Sequence, residues 1–327
     1  EDTYLIDTLT VTDLSSLGAV FAASNHEVIL HDADYDLRLL ARDHDMRIGG
    51  LFDTKLAAQL LGEPAFGLGA LVEKYLGTRL DKKYQRADWA QRPLPPEMLS
   101  YAAEDTRHLP VLRDRLKAAL EEEGRMHWAA EEFELREHTR WEPSTGSDEA
   151  YLRIKNTRDL KPRQMAALRE LHAWREALAE QRDLATFRVV GNDVLIAIAR
   201  ELPRDTRELA RTKGVPGSIG DRYGVDMMAA VQRALDLDEA DLPRRERGPR
   251  RPPPDAEFDA RVERLKKVRD AAAEALGLDR GFLMPRQQLE AIARQRPRTE
   301  EDLMVEVADM RRWQVEALGA ALLRAVK

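Results

Sequence analysis

The sequence lacks several features that would place it in a familiar class of protein. Cysteine is absent, which excludes disulfide bonds and thiolate metal sites and suits a reducing compartment such as the cytoplasm, where we expect the protein to act. No apolar run approaches the roughly twenty residues of a membrane-spanning helix, and the first residues do not look like a signal peptide. The Gly-x-x-x-x-Gly-Lys-Ser/Thr loop is also missing, so a helicase is disfavoured.

Length and charge predict a chain of more than one domain. At 327 residues, 43% of them hydrophobic and 34% charged, it exceeds the usual single domain and can fill packed cores. Residues 1–157 hold 29 acidic and 19 basic side chains, whereas residues 158–327 hold 30 and 33. The acidic first half argues against nonspecific nucleic-acid binding there and agrees with a carboxylate metal site, because bound cations reverse the local field.

Short apolar runs near the start of the chain predict two β-strands, at residues 3–7 and 27–31. The spacing of the apolar residues between these two runs, and again over residues 32–45, predicts helices. Alternating strands and helices indicate an α/β layer domain. Further along, Asp53 is predicted to cap a helix and Gly77 to end one. One continuous helix is expected over residues 109–134.

The most informative stretch is Leu80–Leu109. Pro95 and Pro96 suit the first turn of a helix, where a missing N–H costs nothing. That helix then carries Tyr101 and Asp105, whose spacing of four places both side chains on one face. The carboxylate can hold a divalent metal and the phenol can orient a metal-bound water. The alternative is a half-buried tyrosine beside a solvated acid.

A second acidic cluster lies where the strand at 27–31 leads into a helix. Asp32 and Asp34 are expected to serve the helix N-terminus through capping and the macrodipole. Asp36 is the candidate for metal chemistry. His31 is predicted to be a packed histidine at the strand end and not a ligand.

Two of these stretches resemble motifs of a known family. The run DWAQRPLPPEMLSYAAEDTRHL resembles the third exonuclease motif of ribonuclease D, in the tyrosine-bearing branch of the DEDD 3′–5′ exonucleases, and VILHDADYDLRLL resembles the second. The resemblance implies a ribonuclease H-like α/β exonuclease domain. It also implies that Asp36 and Asp105 bind two Mg²⁺ or Mn²⁺ ions while Tyr101 orients the attacking water.

The second half contains an internal repeat. Residues 193–209 match residues 287–303 at a constant offset of 94, which predicts two copies of a small all-α helical bundle. Both copies resemble the helicase and RNase D C-terminal (HRDC) domain, an accessory nucleic-acid-binding module. The expected order is an exonuclease domain at 1–142, a linker at 143–157, one HRDC-like domain at 158–236, a Pro/Arg-rich linker at 237–256 and a second HRDC-like domain at 257–327.

The expected partner is RNA, and no protein partner or membrane is indicated. Trp89 either stacks on a base or fills the core, and the core is favoured. Residues 211–224 are expected to form either a glycine-rich loop that contacts phosphate or a plain turn that connects two helices. The predicted nucleic-acid contacts are Lys82, Lys83, Gln85, Arg86, Arg92, Arg211 and Lys213.

One part of the family pattern is missing. The resemblance implies an Asp-x-Glu strand as the first metal-binding motif, yet the only Asp-x-Glu is at 255–257, and Asp7 is predicted to be a turn acid. We therefore expect the chain to begin after that motif and, as given, to bind metals poorly.

The expected activity is 3′–5′ exoribonucleolytic hydrolysis that trims tRNA precursors or other structured RNA. The alternatives are a noncatalytic nucleic-acid-binding homologue and a DNA-directed exonuclease of the same superfamily.

Overall fold

The computed structural model describes residues 3–23, 25–142, 147–244 and 255–327. Internal contacts divide the chain into two units. Unit 1 joins Glu1–Glu142 to Pro253–Lys327, and unit 2 is Pro143–Pro252. Within the described residues, no helix is both long and apolar enough to cross a membrane.

Unit 1 begins with an α/β layer built on two short parallel strands. Strand β1 (Val28–Leu30) pairs with β2 (Leu51–Asp53) so that Leu30 lies opposite Asp53. A helix connects them, as a parallel pair requires. Among the described residues, the helices of this layer are α1 Ser15–Ala22, α2 Asp34–His44, α3 Thr54–Leu60, α4 Leu68–Leu76, α5 Pro96–Arg107, α6 Leu109–Glu122 and α7 Met126–Glu137.

Local chemistry explains several helix boundaries. Asp53 accepts hydrogen bonds from the backbone N–H groups of Lys55 and Leu56, which confirms it as the N-cap of α3. Gly77 adopts φ 67° and ends α4, as predicted, because glycine enters the left-handed region without a steric cost. Helix α5 begins at Pro96, also as predicted.

Two expectations about this layer are wrong. Residues 3–7 do not form a strand, and Tyr4 in that run is 81% exposed. Apolar character alone does not make a strand, since a strand also needs a neighbour to pair with. The helix expected over residues 109–134 is two helices, α6 and α7, because the chain turns at Gly124, which has φ 66°.

The second half folds as two sets of five helices within the described residues. In unit 2, 3₁₀ turns at Ser147–Arg153 and Glu239–Asp241 flank α8 Pro162–Gln181, α9 Thr186–Val189, α10 Asn192–Glu201, α11 Thr206–Arg211 and α12 Gly217–Leu235. In unit 1, the second set is α13 Ala256–Leu276, α14 Arg280–Leu283, α15 Arg286–Gln295, α16 Glu300–Glu306 and α17 Arg312–Val326. We call these the first and the second helical module.

The glycine-rich loop expected at 211–224 is wrong over most of its length, and the structure shows the alternative, a turn that connects two helices. Arg211 closes α11, and α12 already begins at Gly217, so only residues 212–216 connect the two helices. Glycine lowers helix propensity, but it does not prevent a helix whose buried face includes Tyr223 and Met227. Much of the Pro/Arg-rich linker, residues 245–254, lies outside the described residues.

The second module shares one hydrophobic core with the α/β layer. Trp313 of α17 stacks on Trp128 of α7 with ring centroids 5.2 Å apart. Arg125, just before α7, donates hydrogen bonds of 2.7 and 2.8 Å to the carbonyl oxygens of Leu60 and Leu276. These buried contacts make the second module part of the folded body that carries α5.

Candidate active site

Helix α5 places the predicted tyrosine and aspartate side by side. Met98, which is 1% exposed, anchors the inner face of the helix. Tyr101 and Asp105 lie one turn apart on another face and both line a cavity of about 440 Å³. The described lining residues are Arg79, Leu80, Asp81, Lys83, Tyr84, Glu97, Ser100, Tyr101, Glu104 and Asp105. The predicted spacing therefore corresponds to a shared, solvent-connected cavity.

The electrostatics of this cavity keep the phenol protonated. Burial raises the pKa of Tyr101, and the negative charges of Asp105 and Asp81 raise it further. Burial also raises the pKa of Asp105, although that side chain stays accessible to solvent. No ion pair neutralises Asp105 among the residues that the structure describes. Near neutral pH the pair is a phenol that can donate a hydrogen bond beside a carboxylate with free acceptor oxygens.

An aromatic cluster holds the Tyr101 ring. Tyr84 meets it edge-on, and Trp89 packs at a tilt, each with its centroid 6.0 Å from that of Tyr101. The indole N–H of Trp89 donates to the carbonyl oxygen of Tyr84 at 3.1 Å, which ties the two residues together. Trp89 is half-buried against Tyr101 and belongs to none of the hydrophobic cores, so the expectation that it fills the core is wrong.

Tyr84 is the cavity residue that the sequence reasoning missed. The Nζ of Lys83 lies 5.0 Å from the centroid of its ring. A lysine followed by a tyrosine, in a segment without helical spacing, is the basic and aromatic alternation typical of single-strand binding surfaces. That pattern is the sequence signal that could have identified Tyr84 as a binding residue.

The acidic cluster at the start of α2 separates into paired and unpaired carboxylates. Asp32 contacts the Nζ of Lys55 at 2.6 Å, and Asp34 binds the guanidinium of Arg38 at 2.9 Å. Asp36 has no ion pair among the described residues. Burial raises its pKa, and the charges of Asp32 and Asp53 raise it further.

Capping of α2 differs from the expectation. Neither Asp32 nor Asp34 caps the helix, whose N-cap residue is Ala33. The carboxylate of Asp53 instead accepts from the N–H groups of Asp32 and Ala33, at 3.0 and 2.9 Å. One buried side chain thus organises the starts of both α2 and α3.

Two minor predictions are confirmed near these helices. His31 is half-buried and forms a 2.9 Å hydrogen bond between Nδ1 and the hydroxyl of Thr54, and burial lowers its pKa. Asp7 is a turn acid that accepts a hydrogen bond from the backbone N–H of Leu9.

The metal site is incomplete in the described residues. Asp36 does not line the cavity that Tyr101 and Asp105 share, and the charges that act on it come from Asp32 and Asp53. No group of three or more histidine, aspartate or glutamate side chains within the described ranges could hold a metal ion. Two carboxylates are too few to fix a pair of divalent ions, so these residues alone do not fit the implied metals.

The predicted RNA-contacting residues differ in their surroundings. Four of them are exposed, namely Lys82, Lys83, Gln85 and Arg86, and of these Lys83 lines the cavity. The guanidinium of Arg92 instead binds the carboxylate of Asp7, at 2.6 and 2.8 Å. Arg211 and Lys213 are exposed in the first module. All seven remain predicted contacts.

Comparison with known proteins identifies the family. The family profile described as 3′–5′ exonuclease matches residues 1–121, and that of the HRDC domain matches residues 164–231 and 258–326. Ribonuclease D of Desulfotalea psychrophila is 31% identical over 293 residues, covering 89% of this chain and 77% of that protein. Ribonuclease D of Nitrobacter hamburgensis is 33% identical over 307 residues, covering 92% and 76%. The chain belongs to the ribonuclease D family.

Solved structures agree with this assignment. The crystal structure of Escherichia coli RNase D, described as an exoribonuclease involved in structured RNA processing, superposes with a TM-score of 0.68 at 27% identity, covering 98% of this chain and 84% of that one. A Bifidobacterium adolescentis protein superposes with a TM-score of 0.76 at 26% identity, covering 91% and 78%. An α/β exonuclease domain precedes two HRDC helical domains in this chain, which confirms the predicted fold class. The enzyme class, a 3′–5′ exoribonuclease, is confirmed with it.

Proposed function

We propose that the chain trims the 3′ ends of structured RNA, tRNA precursors among them, by hydrolysing phosphodiester bonds and releasing nucleoside 5′-monophosphates. The observation that carries this proposal is the pairing of Tyr101 and Asp105 in one open cavity. A phenol held in its protonated form can donate a hydrogen bond to an attacking water, and the neighbouring carboxylate can accept one. The cytoplasm is the proposed location, in keeping with the absence of cysteine.

Substrate binding in this proposal uses the same cavity. Its volume of about 440 Å³ is in the range of small-molecule pockets and suits a terminal nucleotide of a single strand. Tyr84 offers a ring on which a base can stack, and Lys83 offers a cation for a phosphate. Duplex RNA would stay outside until its 3′ end is unpaired.

The proposed cofactor is a divalent metal, namely two Mg²⁺ or Mn²⁺ ions, with Asp36 and Asp105 among the ligands. Carboxylate oxygens are the donors that these hard cations take. Neither carboxylate has an ion-pair partner among the described residues, and the pKa of each is raised, so a nearby cation would stabilise both anions. The remaining ligands would have to come from outside the set that the structure describes.

The test is cleavage of a 5′-labelled RNA hairpin with a single-stranded 3′ tail, followed on a sequencing gel with Mg²⁺ or Mn²⁺ present. Tyr101→Phe and Asp105→Asn should each slow mononucleotide release by about 10²–10⁴-fold without lowering the melting temperature. Tyr35→Phe is the matched control, because Tyr35 is 68% exposed on α2. This variant should cleave the RNA at the wild-type rate. Full turnover by Asp105→Asn would contradict the assigned role.

The second candidate is that this member of the exoribonuclease family binds RNA without cleaving it, as a noncatalytic homologue. The lack of a three-ligand metal cluster in the described residues favours it. RNA binding without mononucleotide release at any Mg²⁺ or Mn²⁺ concentration would support this candidate over the enzyme.

A further inference from the structure

The two helical modules correspond at the offset of 94 through α11 and α16, and at 95 in their last helices, since α12 begins at Gly217 and α17 at Arg312. Helices α9 and α14, and α10 and α15, begin and end 94 residues apart. The left-handed residues also correspond: Asp183 to Gly277 and Leu202 to Arg296, with φ from 49° to 66°. Residues before the last helix therefore have their counterparts 94 positions later, and residues of α12 have theirs 95 positions later.

In the second module one face is covered by the α/β layer. Trp313 packs on Trp128, and the carboxylate of Glu316 lies 2.8 Å from the Nε2 of His127. The carbonyl of Leu276 receives the guanidinium of Arg125. We call this the docking face. It is apolar at its centre and presents an acid and a carbonyl oxygen to cations.

The corresponding face of the first module carries arginines. By the offset of 94, the counterpart of Leu276 is Arg182, and by the offset of 95 between α12 and α17, the counterpart of Glu316 is Asp221, whose neighbour is Arg222. Both arginines are exposed, and each has its guanidinium carbon 5.6 Å from the ring centroid of Tyr223. Arg182 also donates to the phenol oxygen at 3.1 Å. Two cations thus converge on one ring.

No carboxylate neutralises this pair among the described residues. Asp183 and Asp221 adjoin the arginines in sequence, yet neither forms an ion pair with them in the part of the chain that the structure describes. Tyr223 is 4% exposed and packs edge-on against Trp174, so its ring is a fixed support for the guanidinium groups. Cations gathered on such a support repel each other unless an anion binds between them.

Two more residues extend the face. Arg188 is the counterpart of Phe282, which stacks on Trp313 at the docking face, so Arg188 belongs to the same side of its module. Phe187, beside it on α9, is 73% exposed. An exposed aromatic ring beside arginines is the combination that binds phosphates and stacks unpaired bases.

We propose that Arg182, Arg188 and Arg222, with Phe187, form the RNA-binding surface of the first module, which we call the arginine face. The inference rests on the proposed function, since it takes RNA as the polyanion. The two copies of the module thus use one face differently, because the second buries it in unit 1 and the first offers it to RNA phosphates. This places the phosphate contacts on α12, on α9 and on the segment before α9. They lie outside the short 212–216 connection.

The test is RNA binding measured by fluorescence anisotropy with a labelled hairpin that carries a 3′ tail, at several salt concentrations between about 50 and 200 mM. The double variant Arg182→Gln/Arg222→Gln should bind at least about tenfold more weakly, and the slope of log K against log salt should fall by about one per arginine. The control is Arg200→Gln/Arg233→Gln in the same module, where each arginine is already paired, with Asp159 and Glu170. It should keep the wild-type slope.

The outcomes separate the two proposals. If the wild type binds RNA and releases mononucleotides while the Arg182/Arg222 variant binds with unchanged affinity and slope, the arginine face is refuted and the proposed function stands. Equal losses in both double variants would also refute the face, because they would reflect net charge alone. If the wild type binds no RNA, both proposals fail.

Discussion

The stacked tryptophans predict that a single substitution in the second module will loosen the α/β layer. Trp313 is 2% exposed, packs between Trp128 and Phe282, and donates its indole N–H to Glu132 at 2.8 Å. Replacement by alanine removes a buried aromatic side chain, which costs about 3–5 kcal/mol in comparable cores. Glu132 keeps Arg311 as a partner at 3.1 Å, so no buried charge is left unpaired. We expect Trp313→Ala to lower the free energy of unfolding of unit 1 by about 4 kcal/mol.

The assay is amide hydrogen exchange read by mass spectrometry in peptides from α3 and α6. A loss of about 4 kcal/mol corresponds to roughly 10³-fold faster exchange of the most protected amides. The matched control is Ile219→Ala on α12 of the first module, where the half-buried side chain should cost about 1–2 kcal/mol and affect only unit 2. Unchanged exchange in α3 and α6 of Trp313→Ala would refute the reasoning, because it would mean that the shared core does not couple the layer to the module.

Two further predictions concern single contacts in unit 1. Gly62→Ala should destabilise strongly, by roughly 3 kcal/mol or more, because Gly62 has φ 74° and an added Cβ would overlap the carbonyl oxygen of Gly277. Gly77→Ala, at φ 67° with open space around it, should cost only about 1 kcal/mol in urea unfolding, and equal costs would contradict the proposed clash. Hydrogen bonding to Arg92 lowers the pKa of Asp7 to about 2, so the pair stabilises the fold above about pH 4 and loses that effect as the pH falls through about 2. Arg92→Gln should return the Asp7 pKa toward its ordinary value in a carbon-13 NMR titration, and an Asp7 pKa near 4 in the wild type would show that the pair does not form.

Features encoded by neighbouring residues could be predicted from the sequence. The shared cavity of Tyr101 and Asp105 follows from a spacing of one helical turn. The end of α4 follows from Gly77, and the start of α5 follows from Pro96. Each depends on backbone geometry within a few residues, so distant contacts do not override it.

Features that depend on distant partners could not be predicted. The run at 3–7 has the composition of a strand, but the sequence of one segment does not specify whether another strand is available to pair with it. Tyr84 reaches Tyr101 through an irregular segment that has no periodicity to follow. The double role of Asp53 required knowing that the starts of α2 and α3 lie together, which follows only from the pairing of β1 with β2. Asp36 illustrates the same limit, since its local sequence does not specify which carboxylates surround it.

The shared core of unit 1 also has a consequence for how the chain folds during synthesis. The layer, which is translated before both modules, carries Trp128 and Arg125, whose partners Trp313 and Leu276 are translated only after all of unit 2. The first module can fold on its own, while the apolar surface of the layer stays exposed until the second module is made. Premature termination between the two modules would therefore release a partly folded chain prone to aggregation or chaperone capture, and ribosome pausing there would prolong the exposure of the apolar surface.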